Sequence, residues 1–197
     1  MEFISHRINT IDELINTPTQ FGIELDLRDY GDKIILQHDP FLLGEDFEEY
    51  LKYYKHGTMI LNVKSERIEL RILDLLKKYN IKNYFFLDCS FPMIYMLSKL
   101  GEKNIALRFS EFEGLDTILK MKGKVNWVWV DCFTKLPLDF HTFNILKENN
   151  FNLCMVSPEL QGQPEKINDY KEIMKKENIF FDAICTKQKY VETWDKN

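Results

Sequence analysis

The sequence lacks the features that mark several large classes of protein. It has no run of about 18 apolar residues, so we expect no transmembrane helix and no insertion into a membrane. Its first residues, MEFISHRINT, contain no basic segment followed by an apolar stretch, so we expect no signal peptide and a cytoplasmic location. The formal net charge is −5, which argues against a nucleic-acid partner bound through released counterions.

Cysteine is scarce and widely spaced. The four residues, Cys89, Cys132, Cys154 and Cys185, form no C-x-x-C pair and have no histidine at zinc-finger spacing. All four lie in or beside apolar runs, which predicts buried thiols in a reducing compartment. The alternative, a nucleophilic cysteine, would require a lowered thiol pKa.

Glycine and proline are also few, at eight and six residues, and no Pro-, Gly- or Ser-rich linker divides the chain. We therefore expect one compact domain over residues 1–197. A doubly wound open sheet is one possible architecture, but it usually has a glycine-rich phosphate turn after an early strand. This sequence has none.

Short apolar runs rich in β-branched and aromatic residues alternate with segments of helical periodicity. Eight runs are predicted strands: residues 2–8, 22–28, 58–64, 84–90, 104–110, 126–133, 152–157 and 180–186. The predicted helices are residues 67–79, 91–100, 114–121, 139–149 and 166–177. Eight strands alternating with helices predict an α/β fold and, by their number, a (β/α)8 TIM barrel at the lower end of that fold's size range.

Residues 21–40, FGIELDLRDYGDKIILQHDP, depart from a simple buried strand. Glu24 and Asp26 are two positions apart and so share one face of the second strand. Because burying both carboxylates in an apolar core would cost several kcal/mol, we expect them to face water, a cation or a substrate. An exposed edge strand with solvated charges is the alternative. A turn at Gly31 then leads to an extra strand, 33–37, which is followed by His38.

Polar residues gather at the ends of almost every predicted strand, where a barrel carries its functional groups. These ends contain Ser5-His6-Arg7, Glu24 to Arg28, Asn62 to Ser65, Asp88-Cys89-Ser90, Arg108, Asp131 and Thr186-Lys187.

Several of these motifs, in this order, resemble the glycerophosphodiester phosphodiesterase family, whose fold is a barrel of the phosphatidylinositol-phospholipase type. The matching motifs are His6-Arg7, Glu24-x-Asp26, His38-Asp39, a strand ending in Lys64, the segment 89–100 and FDAICTKQ at 181–188. The resemblance implies a phosphoric diester hydrolase connected with lipid metabolism, acting on a small soluble phosphodiester. It leaves the alcohol released and the oligomeric state undetermined.

The resemblance assigns roles to individual residues. His6 and His38 would serve as general acid and base, because histidine ordinarily titrates near neutral pH. Arg7 and Lys64 would neutralise the phosphate oxygens. The alternative for Arg7, and for Arg28, is a structural ion pair with Glu24 or Asp26. A hydroxyl next to the phosphodiester would attack first, which releases the alcohol and forms a cyclic phosphate that water could open later.

The resemblance also implies a divalent cation, Mg²⁺ or Ca²⁺, held by the hard oxygen ligands of Glu24 and Asp26. Here the chain departs from the family, because Asn62 stands where a third glutamate ligand is usual. We expect Asp88, at the end of the next strand, to lie near the cation directly or through water. Residues 41–61 also replace a longer family insertion, which bears on the glycerol-type substrate.

Two other functions stay open on the sequence alone. A catalytically weak or inactive barrel that binds a phosphorylated small molecule is favoured by Asn62, whereas a pair of histidines favours the enzyme. A barrel isomerase or aldolase would use Lys64 for Schiff-base chemistry, which requires a buried lysine of low pKa.

Overall fold

The computed structural model describes residues 1–195, and these divide into two compact units. One unit comprises Ser5–Leu100, and the other comprises Met1–Ile4 together with the described residues from 101 onward. We call them the first and the second unit.

The first unit contains most of the motifs. Its strands are β2 (Gly22–Tyr30), β3 (Lys33–Leu36), β4 (Glu45–Asp46), β5 (Met59–Val63) and β6 (Tyr84–Leu87). Its helices are α1 (Ile11–Asn16), α2 (Phe47–Leu51), α3 (Glu69–Lys78) and α4 (Phe91–Lys99). Strand β2 is central, since it pairs in parallel with β5 and antiparallel with β3, while β5 pairs in parallel with β6 and β3 pairs antiparallel with β4.

The second unit is a regular alternation of strands and helices. It contains β1 (Glu2–Ser5, whose last residue belongs to the first unit), β7 (Ala106–Phe109), β8 (Trp127–Val130), β9 (Asn152–Val156) and β10 (Ala183–Thr186). Its helices are α5 (Leu115–Lys120), α6 (Phe140–Glu148), α7 (Ile167–Lys176) and α8 (Val191–Asp195). Strands β7, β8, β9 and β10 pair in parallel in chain order, and β1 follows β10.

Local sequence explains several boundaries. Thr10 caps α1 in a capping box with Glu13, which satisfies backbone groups that a helix start leaves without partners. Gly31 has φ +62, in the left-handed region that glycine adopts without a steric cost, and it turns β2 back into β3. The predicted turn at Gly31 and the extra strand after it are therefore confirmed.

The mixed α/β fold is confirmed, and every predicted strand and helix is present within about two or three residues of its predicted bounds. The short elements β4, α2 and α8 were not predicted. Closure into an eight-stranded barrel and organisation as one domain stay predictions. No helix within residues 1–195 combines the length and apolarity needed to cross a membrane.

The predicted burial of the thiols is confirmed for three of the four cysteines. Cys132, Cys154 and Cys185 are buried, Cys89 is half-buried, and none forms a disulfide. Burial, reinforced by the neighbouring Glu69 carboxylate, raises the pKa of the Cys89 thiol above its ordinary value. A raised pKa disfavours the thiolate, so Cys89 is a poor nucleophile.

Candidate active site

Strand β2 places the two carboxylates of the site. Glu24 and Asp26 alternate with Ile23, Leu25 and Leu27 and therefore lie on the opposite face of the strand. Each is only 1% exposed, so neither carboxylate faces bulk water, and a cation or a substrate remains of the three environments expected from the sequence. The burial is tolerable because neighbouring residues donate hydrogen bonds to both carboxylates.

Glu24 accepts hydrogen bonds from two directions. The backbone N–H of Arg7 donates to Oε2 at 2.7 Å, and the side-chain amide of Asn62 donates to Oε1 at 2.9 Å. His6 Nε2 lies 3.7 Å from Glu24 Oε2. The segment after β1 thus brings a histidine and a backbone donor to the same carboxylate.

Asp26 is held mainly by Asn9, a residue that the sequence motifs did not single out. The amide of Asn9 donates to Asp26 Oδ2 at 2.9 Å, and its carbonyl oxygen accepts the backbone N–H of Asp26 at 2.8 Å. Two cations lie nearby, with Arg7 Nε 3.5 Å from Oδ2 and Lys64 Nζ 3.7 Å from Oδ1.

The proximity of the two carboxylates changes the acidity of Glu24. Burial raises the pKa of Glu24 to about 7, and repulsion from Asp26 adds to the effect, while the hydrogen bonds from Asn62 and Arg7 oppose it. Glu24 therefore takes up a proton far more readily than an ordinary carboxyl group, and a cation bound beside it would oppose this.

Asn62 lies directly beside Asp26 on the neighbouring strand, as the β2–β5 register shows. Its amide nitrogen donates a hydrogen bond to Glu24, and no donor among the described residues reaches its Oδ1 atom. Asp26 Oδ1 likewise receives no hydrogen bond from residues 1–195. Two buried oxygens on adjacent strands therefore remain available to a ligand.

These oxygens suit a hard cation such as Mg²⁺ or Ca²⁺, whose ligands are carboxylate and carbonyl oxygens. The set is small, however, because no three or more His, Cys, Asp or Glu side chains within residues 1–195 are grouped so that they could hold a metal ion. The donor set thus fits a cation that keeps several of its own waters.

Lys64, after β5, connects Asp26 to Asp88, after β6. Its ammonium lies 3.2 Å from Asp88 Oδ2, and the whole lysine side chain is 18% exposed. Asp88 has φ +61, a conformation uncommon outside glycine, asparagine and aspartate. Asp88 therefore contacts the lysine of the cluster, and its predicted place beside a cation stays a prediction.

His38 lies at the start of the loop after β3, with its side chain 38% exposed. Its Nδ1 atom is 2.8 Å from Asp39 Oδ1. The bond to His38 lowers the pKa of Asp39 below its ordinary value, and the positive charge of Arg7 contributes in the same direction. The histidine–aspartate pair thus lies within the electrostatic reach of Arg7.

Arg28 ties the His38 segment to the Lys64 segment. Its guanidinium donates to the backbone carbonyl of His38 through Nε at 3.0 Å and Nη2 at 2.8 Å, and to the carbonyl of Lys64 through Nη1 at 3.0 Å. From the sequence, Arg28 was a possible ion-pair partner of Glu24 or Asp26. The structure gives that pairing to Arg7 for Asp26 and shows a different use for Arg28.

The first unit therefore brings together nearly all of the predicted site residues. Direct contacts join His6, Arg7, Glu24, Asp26, Asn62, Lys64 and Asp88, and Arg28 links His38 to this group. The sequence signal for Asn9 and Arg28 was weak, because a polar residue near a strand end has many uses.

In the second unit, the predicted strand-end residues form hydrogen bonds with other residues of the same unit. Asp131 accepts hydrogen bonds from Arg108 and from Gln161. Buried Glu159 accepts hydrogen bonds from the hydroxyl of Thr186 and the backbone N–H of Lys187. These contacts account for the polar character of the strand ends in this unit.

Comparison with known proteins supports the fold. The chain is similar to the crystal structure of a glycerophosphodiester phosphodiesterase from Agrobacterium tumefaciens strain C58, at 12% identity and a TM-score of 0.69, over 94% of this chain and 96% of that one. It is also similar to a phosphodiesterase of Oleispira antarctica in complex with the product sn-glycerol-3-phosphate, at 14% identity and a TM-score of 0.69, over 100% of this chain and 97% of that one. No family model and no curated protein sequence matches the chain.

At these identities the comparison concerns the fold. The chain has the fold of the glycerophosphodiester phosphodiesterases, as the sequence motifs predicted. Its structural neighbours are phosphodiesterases, and one of them binds a small phosphorylated molecule.

Proposed function

We propose that this chain is a phosphoric diester hydrolase of the glycerophosphodiesterase type. The observation that carries the proposal is the cluster in the first unit, which combines two histidines, two cationic side chains and a buried pair of carboxylates. A site that only binds an anion does not require an acid and a base, so the two histidines favour catalysis.

Arg7 and Lys64 would bind the non-bridging oxygens of the phosphodiester. Arg7 is 47% exposed and Lys64 18% exposed, so both can reach a ligand while remaining next to Asp26. Their positive charges would stabilise the negative charge that increases on these oxygens in the transition state.

His6 and His38 would move the protons. One takes the proton from the substrate hydroxyl next to the phosphodiester, whose oxygen then bonds to phosphorus. The bond from phosphorus to the leaving oxygen breaks, and the other histidine protonates that oxygen, which gives an alcohol and a cyclic phosphate. With a proton on Nδ1 held by Asp39, His38 would present Nε2 for this exchange.

A divalent cation would be held by Glu24, Asp26 and the free oxygen of Asn62, with Asp88 nearby directly or through water. When bound, it would supply additional positive charge for the phosphate oxygens. The two buried oxygens without hydrogen-bond donors in the described chain support this part of the proposal.

A weak or inactive phosphate-binding protein is the second candidate function. The observation that favours it is Asn62, whose amide donates to Glu24 and so occupies one carboxylate oxygen that a cation could otherwise use.

The test is a screen of soluble phosphodiesters followed by phosphorus NMR, with Mg²⁺, Ca²⁺, Mn²⁺ or EDTA. We expect His6→Ala and His38→Ala each to lower turnover by about 10² to 10⁴-fold in a folded protein. His141→Ala is the matched control, since His141 is exposed in the second unit and should leave turnover unchanged. Binding of the diesters without turnover by the wild-type protein would select the second candidate.

A further inference from the structure

The loop between β3 and β4 exposes three consecutive apolar side chains. Phe41, Leu42 and Leu43 are 99%, 53% and 71% exposed. Single exposed apolar residues are common on protein surfaces, whereas three in sequence at one loop tip are not. We call residues 41–43 the apolar tip.

The backbone around the apolar tip is fastened to the sheet. The side chain of Gln37 donates to the carbonyl of Leu43 at 3.0 Å and accepts the backbone N–H of Asp39 at 3.1 Å. Gly44 lies so close to β3 that a Cβ atom there would collide with the carbonyl oxygen of Leu36. The loop is therefore held at both ends, and its apolar side chains point away from the protein.

Phe41 shows that this exposure has a conformational cost. Its φ is +64, in the left-handed region that a bulky aromatic residue rarely adopts. Such strain is maintained only where the surrounding structure enforces it, and it is concentrated at functional segments.

The apolar tip begins beside the proposed catalytic machinery. Phe41 is three positions after His38, so their Cα atoms are at most about 10 Å apart. On another strand end, Phe91 follows Asp88 by the same spacing and is 49% exposed. Exposed apolar side chains thus lie a few positions along the chain from a site whose cations, the exposed Arg7 and the half-buried Lys64, suit an anionic phosphate.

A ligand that satisfies both features is an amphiphile with a charged phosphodiester and an apolar chain. We propose that the substrate class of this site is a phosphodiester carrying a single long alkyl or acyl chain, with the apolar tip contacting that chain. The inference rests on the proposed function for the head group, while the chain contact is a separate property of the loop.

The probe is dodecylphosphocholine, a single-chain phosphodiester without a hydroxyl next to the phosphate, so it cannot form a cyclic product. Its binding is compared with that of ethylphosphocholine by calorimetry, below the concentration at which micelles form. We expect the wild type to bind the dodecyl compound at least about tenfold more tightly, because the chain removes apolar surface of the tip from water.

The variant Phe41→Ser/Leu42→Ser/Leu43→Ser should lose this preference for the long chain. The matched control is Ile15→Ser/Leu70→Ser/Leu100→Ser, which removes three exposed apolar side chains elsewhere in the same unit and should keep the preference. Circular dichroism and the unfolding temperature establish that both variants are folded.

Each other outcome has a definite meaning. Equal binding of the two compounds by the wild type, or a preference that survives in the tip variant, overturns the inference. A wild-type dimer that the tip variant converts to a monomer overturns it in favour of a second copy of this chain as the occupant. Cleavage of soluble diesters without a binding preference for the dodecyl compound refutes the inference but keeps the proposed function. A binding preference for the dodecyl compound without cleavage of any diester refutes the proposed function but keeps the contact between the chain and the apolar tip.

Discussion

Replacing Glu24 by glutamine should remove a specific pH dependence of stability. In the metal-free protein, burial and Asp26 raise the pKa of Glu24 from 4.5 to about 7. The folded state therefore binds the proton more tightly than the unfolded state, so this group stabilises the fold at low pH. That contribution is fully present below about pH 4.5 and is lost as the pH rises through 7.

The magnitude follows from the difference between the two pKa values. A pKa change from 4.5 to about 7 corresponds to about 3 kcal/mol, most of which falls between about pH 5 and pH 8. Glutamine does not titrate, so the Glu24→Gln protein should gain about 2 to 3 kcal/mol in free energy of unfolding relative to wild type over this interval. Its absolute stability can be lower at every pH, because the amide also replaces a hydrogen-bond acceptor for Arg7 or Asn62.

The assay is urea unfolding in EDTA at several pH values from 5 to 8, with the free energies of the two proteins subtracted at each pH. Glu172→Gln provides the control, since it removes the same charge from an exposed position and should run parallel to wild type. If the Glu24→Gln and wild-type curves also ran parallel, Glu24 would not carry a raised pKa, and the account of the buried carboxylate pair would be wrong.

Two further predictions concern the residues around this pair. Arg28→Met removes three hydrogen bonds to the carbonyls of His38 and Lys64, so we expect stability to fall by about 1 to 3 kcal/mol and kcat to fall at least about tenfold, with a smaller change in KM. The control is Arg71→Met, which removes one exposed contact to the carbonyl of Asp32. An unchanged kcat in Arg28→Met would show that Arg28 does not position the site. For the cation, calorimetric titration should show weak Mg²⁺ binding by the wild type and no binding by Glu24→Gln. Asn62→Glu should bind Mg²⁺ about tenfold more tightly than the wild type, because it adds a carboxylate ligand. Asp88→Asn should bind more weakly than the wild type if Asp88 lies near the ion. Absence of wild-type binding at millimolar cation, together with activity indifferent to EDTA, would rule out a role for the carboxylates in metal binding.

Much of the fold could be predicted from local sequence. Apolar alternation identifies the strands, and helical periodicity identifies the segments between them, because both depend on neighbouring residues. The spacing of two also placed Glu24 and Asp26 on one face of β2. The short elements α2 and β4 escaped prediction because they are too brief to show a period.

The environment of the candidate site depended on contacts between distant positions. The β2–β5 register sets Asn62 beside Asp26, and the segment after β1 folds back so that Asn9 and Arg7 reach the carboxylates. These contacts join residues 17 or more positions apart, which no local pattern encodes. For this reason the sequence left open whether the carboxylates face water, a cation or a substrate, whereas the structure buries them among hydrogen-bond donors.

The sequence by itself determined the order of the elements, the face of β2 that carries the carboxylates and the types of residue available for chemistry. Tertiary structure alone decided how those residues are used. In the folded chain, Arg28 donates hydrogen bonds to the backbone carbonyls of His38 and Lys64 and does not pair with Glu24 or Asp26. The Lys64 ammonium lies near both Asp26 and Asp88. The physical reason is that periodicity is set by the local geometry of the backbone, whereas hydrogen bonds and pKa values depend on which distant groups the packed chain brings within a few ångströms.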